Sequence, residues 1–242
     1  FAYGVEPSPD GQRLAYHLTG PGDLPYRICV SDLDGGQRAT IAHRPDRLFF
    51  GPRWSPDGAW LVFLGCAFLD DPGHDWADIY LSRPDGSELR AVTSGQSHWF
   101  GTSHGAPDTR GGGSDMTAWL DGRSVSYTRA TPGSRTAWEF QPQRPDTDHF
   151  NRDYKPELAA GGSHLCRLDP FSGRFAPITA YQPGVWDFRA RLSPDGRRFA
   201  FCRAAVGQPS ELWVMDADGS NQRLLTRGWE GKGADHPRWL AM

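Results

Sequence analysis

No block of basic residues occurs in this chain, in which 26 lysines and arginines face 29 aspartates and glutamates for a net charge of −3. A protein that grips nucleic acid through its phosphates needs a basic stripe or patch, so that class of partner is excluded. No apolar run approaches the length of a membrane-spanning helix. No signal peptide is visible, although Phe1 is an unusual first residue and fits processing or trimming. No stretch shows the 3.6-residue apolar period of an amphipathic helix. The 4 cysteines form no Cys-x-x-Cys pair, which removes the common zinc and thiol-redox motifs.

What the chain does have is a recurring phrase. Ser8-Pro9-Asp10-Gly11 returns as Ser55-Pro56-Asp57-Gly58 and Ser193-Pro194-Asp195-Gly196, with a worn copy at Trp119-Leu120-Asp121-Gly122. Self-similarity at a spacing of roughly 45 to 75 residues marks a repeat architecture, whose units bury their faces against their neighbours. Each copy leads into an apolar-alternating run: Leu14-Ala15-Tyr16, Leu61-Val62-Phe63, Val125-Ser126-Tyr127 and Phe199-Ala200-Phe201. A second run follows at Ile28-Cys29-Val30, Ile79-Tyr80-Leu81, Leu165-Cys166-Arg167 and Leu212-Trp213-Val214. Next come tight turns at Asp34-Gly35, Asp85-Gly86, Ser172-Gly173 and Asp218-Gly219, and a third run that ends at Thr93, Thr179 or Thr226. Asp-Gly between apolar runs is a hairpin signal, because the turn needs a positive φ that glycine supplies at little cost. Each unit therefore reads as four antiparallel strands, A to D. The fold expected is an all-β propeller with four recognisable blades plus one extra inner strand.

Pro-x-Trp-Ser-Pro-Asp-Gly, a strand, Asp-Ile-Tyr-Leu, Asp-Gly and Arg-x-x-Thr together resemble the TolB-type propeller repeat, also called WD40-like. The match is best at Pro52 to Thr93 and at Leu192 to Thr226. The resemblance implies a propeller fold and an interaction platform.

The whole chain reads as one propeller domain, with blades at about 1–50, 51–94, 115–180 and 185–228 and a terminal strand at 236–242. His236-Pro237-Arg238-Trp239-Leu240 copies Gly51-Pro52-Arg53-Trp54-Ser55, so Trp54 and Trp239 should hold equivalent places in A strands. Four blades and one strand do not close a ring. Blades missing before Phe1, a ring completed by further copies of the chain, or a terminal strand that doubles up with the first blade would each account for this. Cys29 and Cys166 share a column of strand C, and Cys66 and Cys202 lie on strand B. They read as buried free thiols, which favours the cytoplasm. If an N-terminal signal was removed, the chain would be periplasmic or secreted, and Cys29 facing Cys66 across a blade interface would suit a disulfide.

In such blades the A–B and C–D turns share one face of the disc. Here they are tight. The long segments, at 66–77, 94–114, 131–163, 203–209 and 227–235, all belong to the opposite face. Loops carried by a rigid scaffold are where binding and catalysis concentrate, so this face is the functional one expected.

Four groups there carry chemistry. Gln96, His98 and His104 offer one amide and two imidazoles, a donor set for manganese, zinc or calcium. Trp99, Phe100, Arg110, Trp138 and His149 are candidate ligand-binding residues, the aromatics acting as amphipathic anchors. The acidic run from Asp70 to Asp78 lacks EF-hand spacing and reads as a turn-rich loop. His236, Arg189 and Arg191 precede A-to-B turns, where side chains can point into the channel. Gly111-Gly112-Gly113 has no strand-to-helix setting and is no phosphate loop.

Two functions fit. The first is a binding or scaffold module that recognises a protein, peptide or glycan on the long-loop face. The second follows from a likeness of the repeat to oligogalacturonate lyases, propellers that hold a metal with histidines and a glutamine. That resemblance implies a metal-assisted uronate lyase, with His236 as base and Arg189 or Arg191 on the substrate carboxylate. Peptidases whose propeller caps a hydrolase domain share the repeat too; no Gly-x-Ser-x-Gly elbow is expected in this chain, and 242 residues leave no room for that domain.

Overall fold

The computed structural model describes residues 2–18, 26–67, 76–96, 117–140, 152–227, 233–234 and 236–240. Nearly all regular structure in them is β. The first unit is a four-stranded antiparallel sheet of β1 (Ala2–Pro7), β2 (Arg13–Leu18), β3 (Arg27–Asp32) and β4 (Ala39–Ala42). The second repeats it with β5 (Arg47–Trp54), β6 (Leu61–Ala67), β7 (Ala77–Ser82) and β8 (Arg90–Ala91).

The third unit contains β9 (Ala118–Trp119) and β10 (Val125–Ala130). An inserted hairpin, β11 (Trp138–Phe140) with β12 (Arg152–Tyr154), and a short 3-10 turn (Pro156–Leu158) precede β13 (Ser163–Leu168) and β14 (Phe175–Pro177). The fourth unit is β15 (Val185–Leu192), β16 (Arg198–Ala205), β17 (Glu211–Asp216) and β18 (Arg223–Leu224). A single parallel pairing, Ser163 with Trp186, joins the third and fourth units into one eight-stranded sheet. The first strands of successive units touch one another, β1 with β5, β5 with β9 and β9 with β15, as strands at the centre of a propeller do.

The Ser-Pro-Asp-Gly phrase closes itself. In the second unit Ser55 Oγ donates to Asp57 Oδ1 (2.5 Å), the N–H of Ala59 donates to the same oxygen (3.0 Å), and the N–H of Trp60 donates to Ser55 Oγ (2.9 Å). Gly58 sits at φ +67°, where a side chain would be strained. The same bonds recur around Ser8 and Ser193. They hold Asp57 below the usual carboxylate range, the Ser55 hydroxyl contributing most.

The closing threonines also have a common job. Thr93, Thr179 and Thr226 accept the N–H of Ile79, Leu165 and Leu212 at the start of strand C. The hydroxyls of Thr93 and Thr179 in turn donate hydrogen bonds to Asp78 (3.1 Å) and Asp187 (2.7 Å).

The core lies between units, and this corrects the expected alternation. In β6, Leu61 and Phe63 pack with Ala15, Ile28 and Ile41 of the first unit, while Val62 and Leu64 pack with Val125, Tyr127 and Leu168 of the third. Strands covered on both faces have no polar side, so they read as near-continuous apolar runs. A third cluster joins Leu165 to Phe199, Phe201 and Met215.

The four cysteines are buried free thiols. Cys29 Sγ lies 3.7 Å from Thr40 Oγ1 of its own unit. Burial pushes the Cys166 thiol up to about 12, so it keeps its proton.

Residues 236–240 form no strand, contrary to the fifth A strand expected. A strand is defined by its ladder, and no described strand pairs with them. The equivalence of the two tryptophans nonetheless holds. Trp239 Nε1 donates to the Arg191 carbonyl (2.8 Å), as Trp54 Nε1 donates to that of Glu6 (3.1 Å) and Trp119 Nε1 to that of Arg53 (3.2 Å).

Candidate functional site

A bulge recurs in the first strand of the units. In β5, Gly51 and Pro52 stand opposite the single residue Phe63; in β1, Gly4 and Val5 stand opposite Tyr16; in β15, Arg189 and Ala190 stand opposite Phe201. One extra residue bends the strand and re-aims the side chains beyond it. The first bulge residue takes the left-handed conformation, at φ +60° for Gly4 and +64° for Gly51. Two units meet that demand with glycine. The fourth meets it with Arg189 (φ +52°), and the terminal segment has His236 (φ +53°) at the corresponding place. The remaining described non-glycine residues with positive φ, Gln37, Glu88 and Asn221, all sit in C–D turns. A side chain in this conformation costs on the order of 1 kcal/mol, and such strain concentrates where a side chain is needed.

Arg189 and His236 meet. Arg189 is 2% exposed, and its Nη1 lies 3.0 Å from His236 Nδ1. A guanidinium has only N–H donors, so Nδ1 is the acceptor and the imidazole carries its proton on Nε2. His236 is exposed, which leaves the pair open to solvent on one side.

Two residues further along lies a second column: Glu6, Arg53 and Arg191 in the first, second and fourth units and Arg238 in the terminal segment, with Ala118 at this place in the third unit. Their backbones are tied by the indole bonds described above, which land on Glu6, Arg53 and Arg191. Arg53 Nη1 donates to Glu6 Oε2 across the first two units (2.6 Å). Burial pulls Arg53 below the ordinary guanidinium value; the Glu6 charge opposes this and the positive charge of Arg238 adds to it. Arg191 is half-buried and Arg238 exposed. The sequence reading missed Glu6, Arg53 and Arg238. Their constant offset before the A-to-B turn was the signal that would have found them.

Gln96 is held elsewhere. Its carbonyl accepts the N–H of Ala130 (2.9 Å), and its own N–H, with that of Gly95, faces the Asp78 carboxylate. Burial raises Asp78 above the usual carboxylate range despite these bonds. Gln96 lines a 290 Å³ cavity with Trp76, Arg129, Thr131 and Ser134. Trp138 stands in β11, paired with Tyr154. His98, His104, Trp99, Phe100, Arg110 and His149 lie outside the described residues, as do Asp70 to Asp75. Among the described residues no group of three or more His, Cys, Asp or Glu could hold a metal ion. The expected sites therefore divide: Arg189 and His236 come together, Arg191 stands one step below them, and Gln96 is fixed to the Asp78 carboxylate.

No protein-family model matches the chain. It is 42% identical over 53 residues to the Tol-Pal system protein TolB of Escherichia fergusonii, a match covering 22% of this chain and 12% of that protein. It is 24% identical over 218 residues to the uncharacterized peptidase YuxL of Bacillus subtilis, covering 86% of this chain and 31% of that one. The chain thus spans less than a third of either relative. Among solved structures, puromycin hydrolase superposes with a TM-score of 0.56 at 16% identity over 100% of this chain and 30% of its own. An oligogalacturonate lyase in complex with manganese gives 0.55 at 12% identity, over 92% of this chain and 52% of its own.

These likenesses define the class: the chain has a propeller fold, resembling the TolB-type repeat proteins and, more distantly, the oligogalacturonate lyases. With hydrolases among the similar proteins, one spelling is relevant. Gly101-Thr102-Ser103-His104-Gly105 reads Gly-x-Ser-x-Gly. The spelling runs against the expectation that the chain lacks this motif, and it lies in sequence between β8 and β9, outside the described residues.

Proposed function

We propose that the chain is a TolB-like propeller recognition module, which holds a protein, peptide or glycan ligand on the face where the first strands begin and the long loops lie. The single observation that carries this reading is the Arg189–His236 pair. Two strained side chains converge where sister units have glycine, and half of the pair faces solvent. A rigid disc with such a pair at its centre suits recognition, with Trp99, Phe100, Arg110, Trp138 and His149 as further contacts from the loops. On this reading the four units are a stretch of a larger ring, or of one completed by a second copy. The Trp239 bond supports that, since it repeats the contact between successive first strands.

The same pair favours a second reading, a uronate lyase. Arg189 would turn to the substrate carboxylate and so release the Nδ1 lone pair of His236 to act as base. A divalent metal on Gln96, His98 and His104 would stabilise the carboxylate charge. One experiment tests both. Wild type, Arg189→Ala and His236→Ala proteins are assayed on oligouronates with added manganese and on peptide and glycan arrays, and metal content is measured beside His98→Ala. Retention on an array that Arg189→Ala abolishes, without turnover, supports the recognition module. Turnover lost in His236→Ala, with metal lost in His98→Ala, moves the function to the lyase. Neither retention nor turnover overturns both.

A further inference from the structure

We infer that Asp34-Gly35 is a site of spontaneous isoaspartate formation, set apart from the other six Asp-Gly pairs of the chain by the turn that holds it. The modification needs no partner but water. The Gly35 amide nitrogen loses its proton and attacks Cγ of Asp34. A C–N bond forms as the C–OH bond breaks, and water leaves a five-membered succinimide. Water then opens the ring at either carbonyl. Opening at the former main-chain carbonyl leaves the chain running through Cγ, as isoaspartate; opening at Cγ restores aspartate. Mass and oxidation state do not change. Glycine after the aspartate favours the reaction, since it has no side chain to block the ring and its backbone turns freely.

A well-bonded carboxylate resists this. It must take up a proton before its oxygen can leave as water, and it must turn away from its donors before the nitrogen can approach. Asp10, Asp57 and Asp195 each accept a serine hydroxyl (2.5 Å) and a main-chain N–H. Asp85 and Asp218 each accept both the hydroxyl and the N–H of the serine two residues on. In these five the serine hydroxyl does most to hold the carboxyl below the usual range. Asp121 accepts two N–H groups, the Ser124 hydroxyl and Arg167. Among the described residues, Asp34 accepts the Gly36 N–H alone (2.9 Å). Gly36 stands where the second and fourth units have Ser87 and Ser220.

The attacking nitrogen is also held less firmly. The Gly35 N–H reaches the Asp32 carbonyl at 3.1 Å, against 2.8 to 3.0 Å for the corresponding bonds of Gly11, Gly58, Gly86, Gly196 and Gly219. The matching turns of the second and fourth units are pinned by the preceding unit: a side chain at Gly86 would come within 3.2 Å of the Ile41 carbonyl, and one at Gly219 would collide with that of Ile178. A side chain at Gly35 would meet no described atom within 4 Å. Isoaspartate adds a carbon to the main chain inside this turn, which the Asp32 N–H closes onto the Gly36 carbonyl (3.2 Å). The change therefore loosens the hairpin that presents Ile41 to the second unit.

The test is to hold the folded chain warm at neutral pH for several weeks and map isoaspartate by digestion and electron-transfer fragmentation. Methyl uptake catalysed by an isoaspartyl methyltransferase gives the total. Several-fold more isoaspartate is expected at Asp34 than at any other Asp-Gly pair. Gly36→Ser supplies the missing hydroxyl, and the atoms nearest to its new Cβ are those of the Asp34 carboxyl. This variant should bring position 34 down to the level of Asp85 and Asp218. Ser87→Gly, the reverse change, should raise isoaspartate at Asp85. In urea, where the turns are gone, the seven rates should converge. Equal rates in the folded chain, a lead of Asp34 that persists undiminished in urea, or no slowing in Gly36→Ser overturns the inference.

Discussion

Arg189 and His236 are 47 positions apart, yet they occupy the same bulge position of successive repeats and touch at 3.0 Å. Gly4 and Gly51 show what that position asks of a residue that has only a structural role. His236→Gly should therefore stabilise the fold by about 1 kcal/mol, because it relieves left-handed strain at an exposed site. Arg189→Ala should do the reverse, since it keeps the strain and empties a buried position. Urea denaturation of the two variants distinguishes these signs, and destabilisation by His236→Gly would count against strain held for function.

Much of this fold was legible because its repeats are spelled in turn chemistry. Ser55, Asp57 and Gly58 specify their turn with bonds that reach no further than Trp60, and such local bonds survive in a sequence pattern. The bulges were not legible. A glycine four residues before the turn serine explains itself at Gly51, while an arginine or histidine there gives no local sign of positive φ. The site was half legible for the same reason. Arg189, Arg191 and His236 stood out before their turns, but the pairing of Arg53 with Glu6 depends on how two strands 47 residues apart pack. The two-sided burial of β6 was also hidden, since Leu61-Val62-Phe63-Leu64 reads as apolar whichever neighbour each side chain meets.

Asp187 ties the third unit to the fourth. It is 1% exposed and accepts two bonds from Arg203 and one from Thr179, whose oxygen in turn accepts the N–H of Leu165. Removing one partner of a buried pair leaves the other charge uncompensated, a loss of about 3–5 kcal/mol. Asp187→Ala should fall in that range by urea denaturation. Arg203→Met should cost at least as much as Asp187→Ala, because it orphans the more deeply buried charge, whereas Arg203 without Asp187 keeps its bond to Gln222 and its guanidinium over the Phe201 and Trp213 rings.

Ser55 tests the turn. Its buried hydroxyl both donates to Asp57 and accepts the Trp60 N–H. Ser55→Ala removes both bonds and should cost about 1–2 kcal/mol. Ser55→Thr should keep most of that stability, since the hydroxyl is retained. Thermal melts at neutral pH compare the two, and equal loss in both would assign the effect to packing instead of bonding.

Acid sensitivity should centre on His17. Its ring stacks on Tyr26 at 5.9 Å and meets Phe50 edge-on at 6.5 Å, and a side chain at Gly4 would come within 3.2 Å of its Nδ1. Burial in this aromatic setting lowers its pKa from 6.5 to about 4. The folded state thus keeps His17 neutral while the unfolded chain takes up a proton, so the unfolded state binds more protons throughout that window. Stability is complete above about pH 6.5 and declines as pH falls towards 4, by at most about 3 kcal/mol from this group. His164, lowered first by burial and then by the Arg129 charge, adds a loss of the same sign. His17→Gln should therefore flatten most of the decline between pH 6.5 and 4 and leave the His164 share. The turn aspartates, held below 3.8 by their hydroxyl and backbone donors, lose their contribution only at lower pH, so the two processes separate in a pH series of urea midpoints. An unchanged slope in His17→Gln would mean that the imidazole is already protonated in the folded protein.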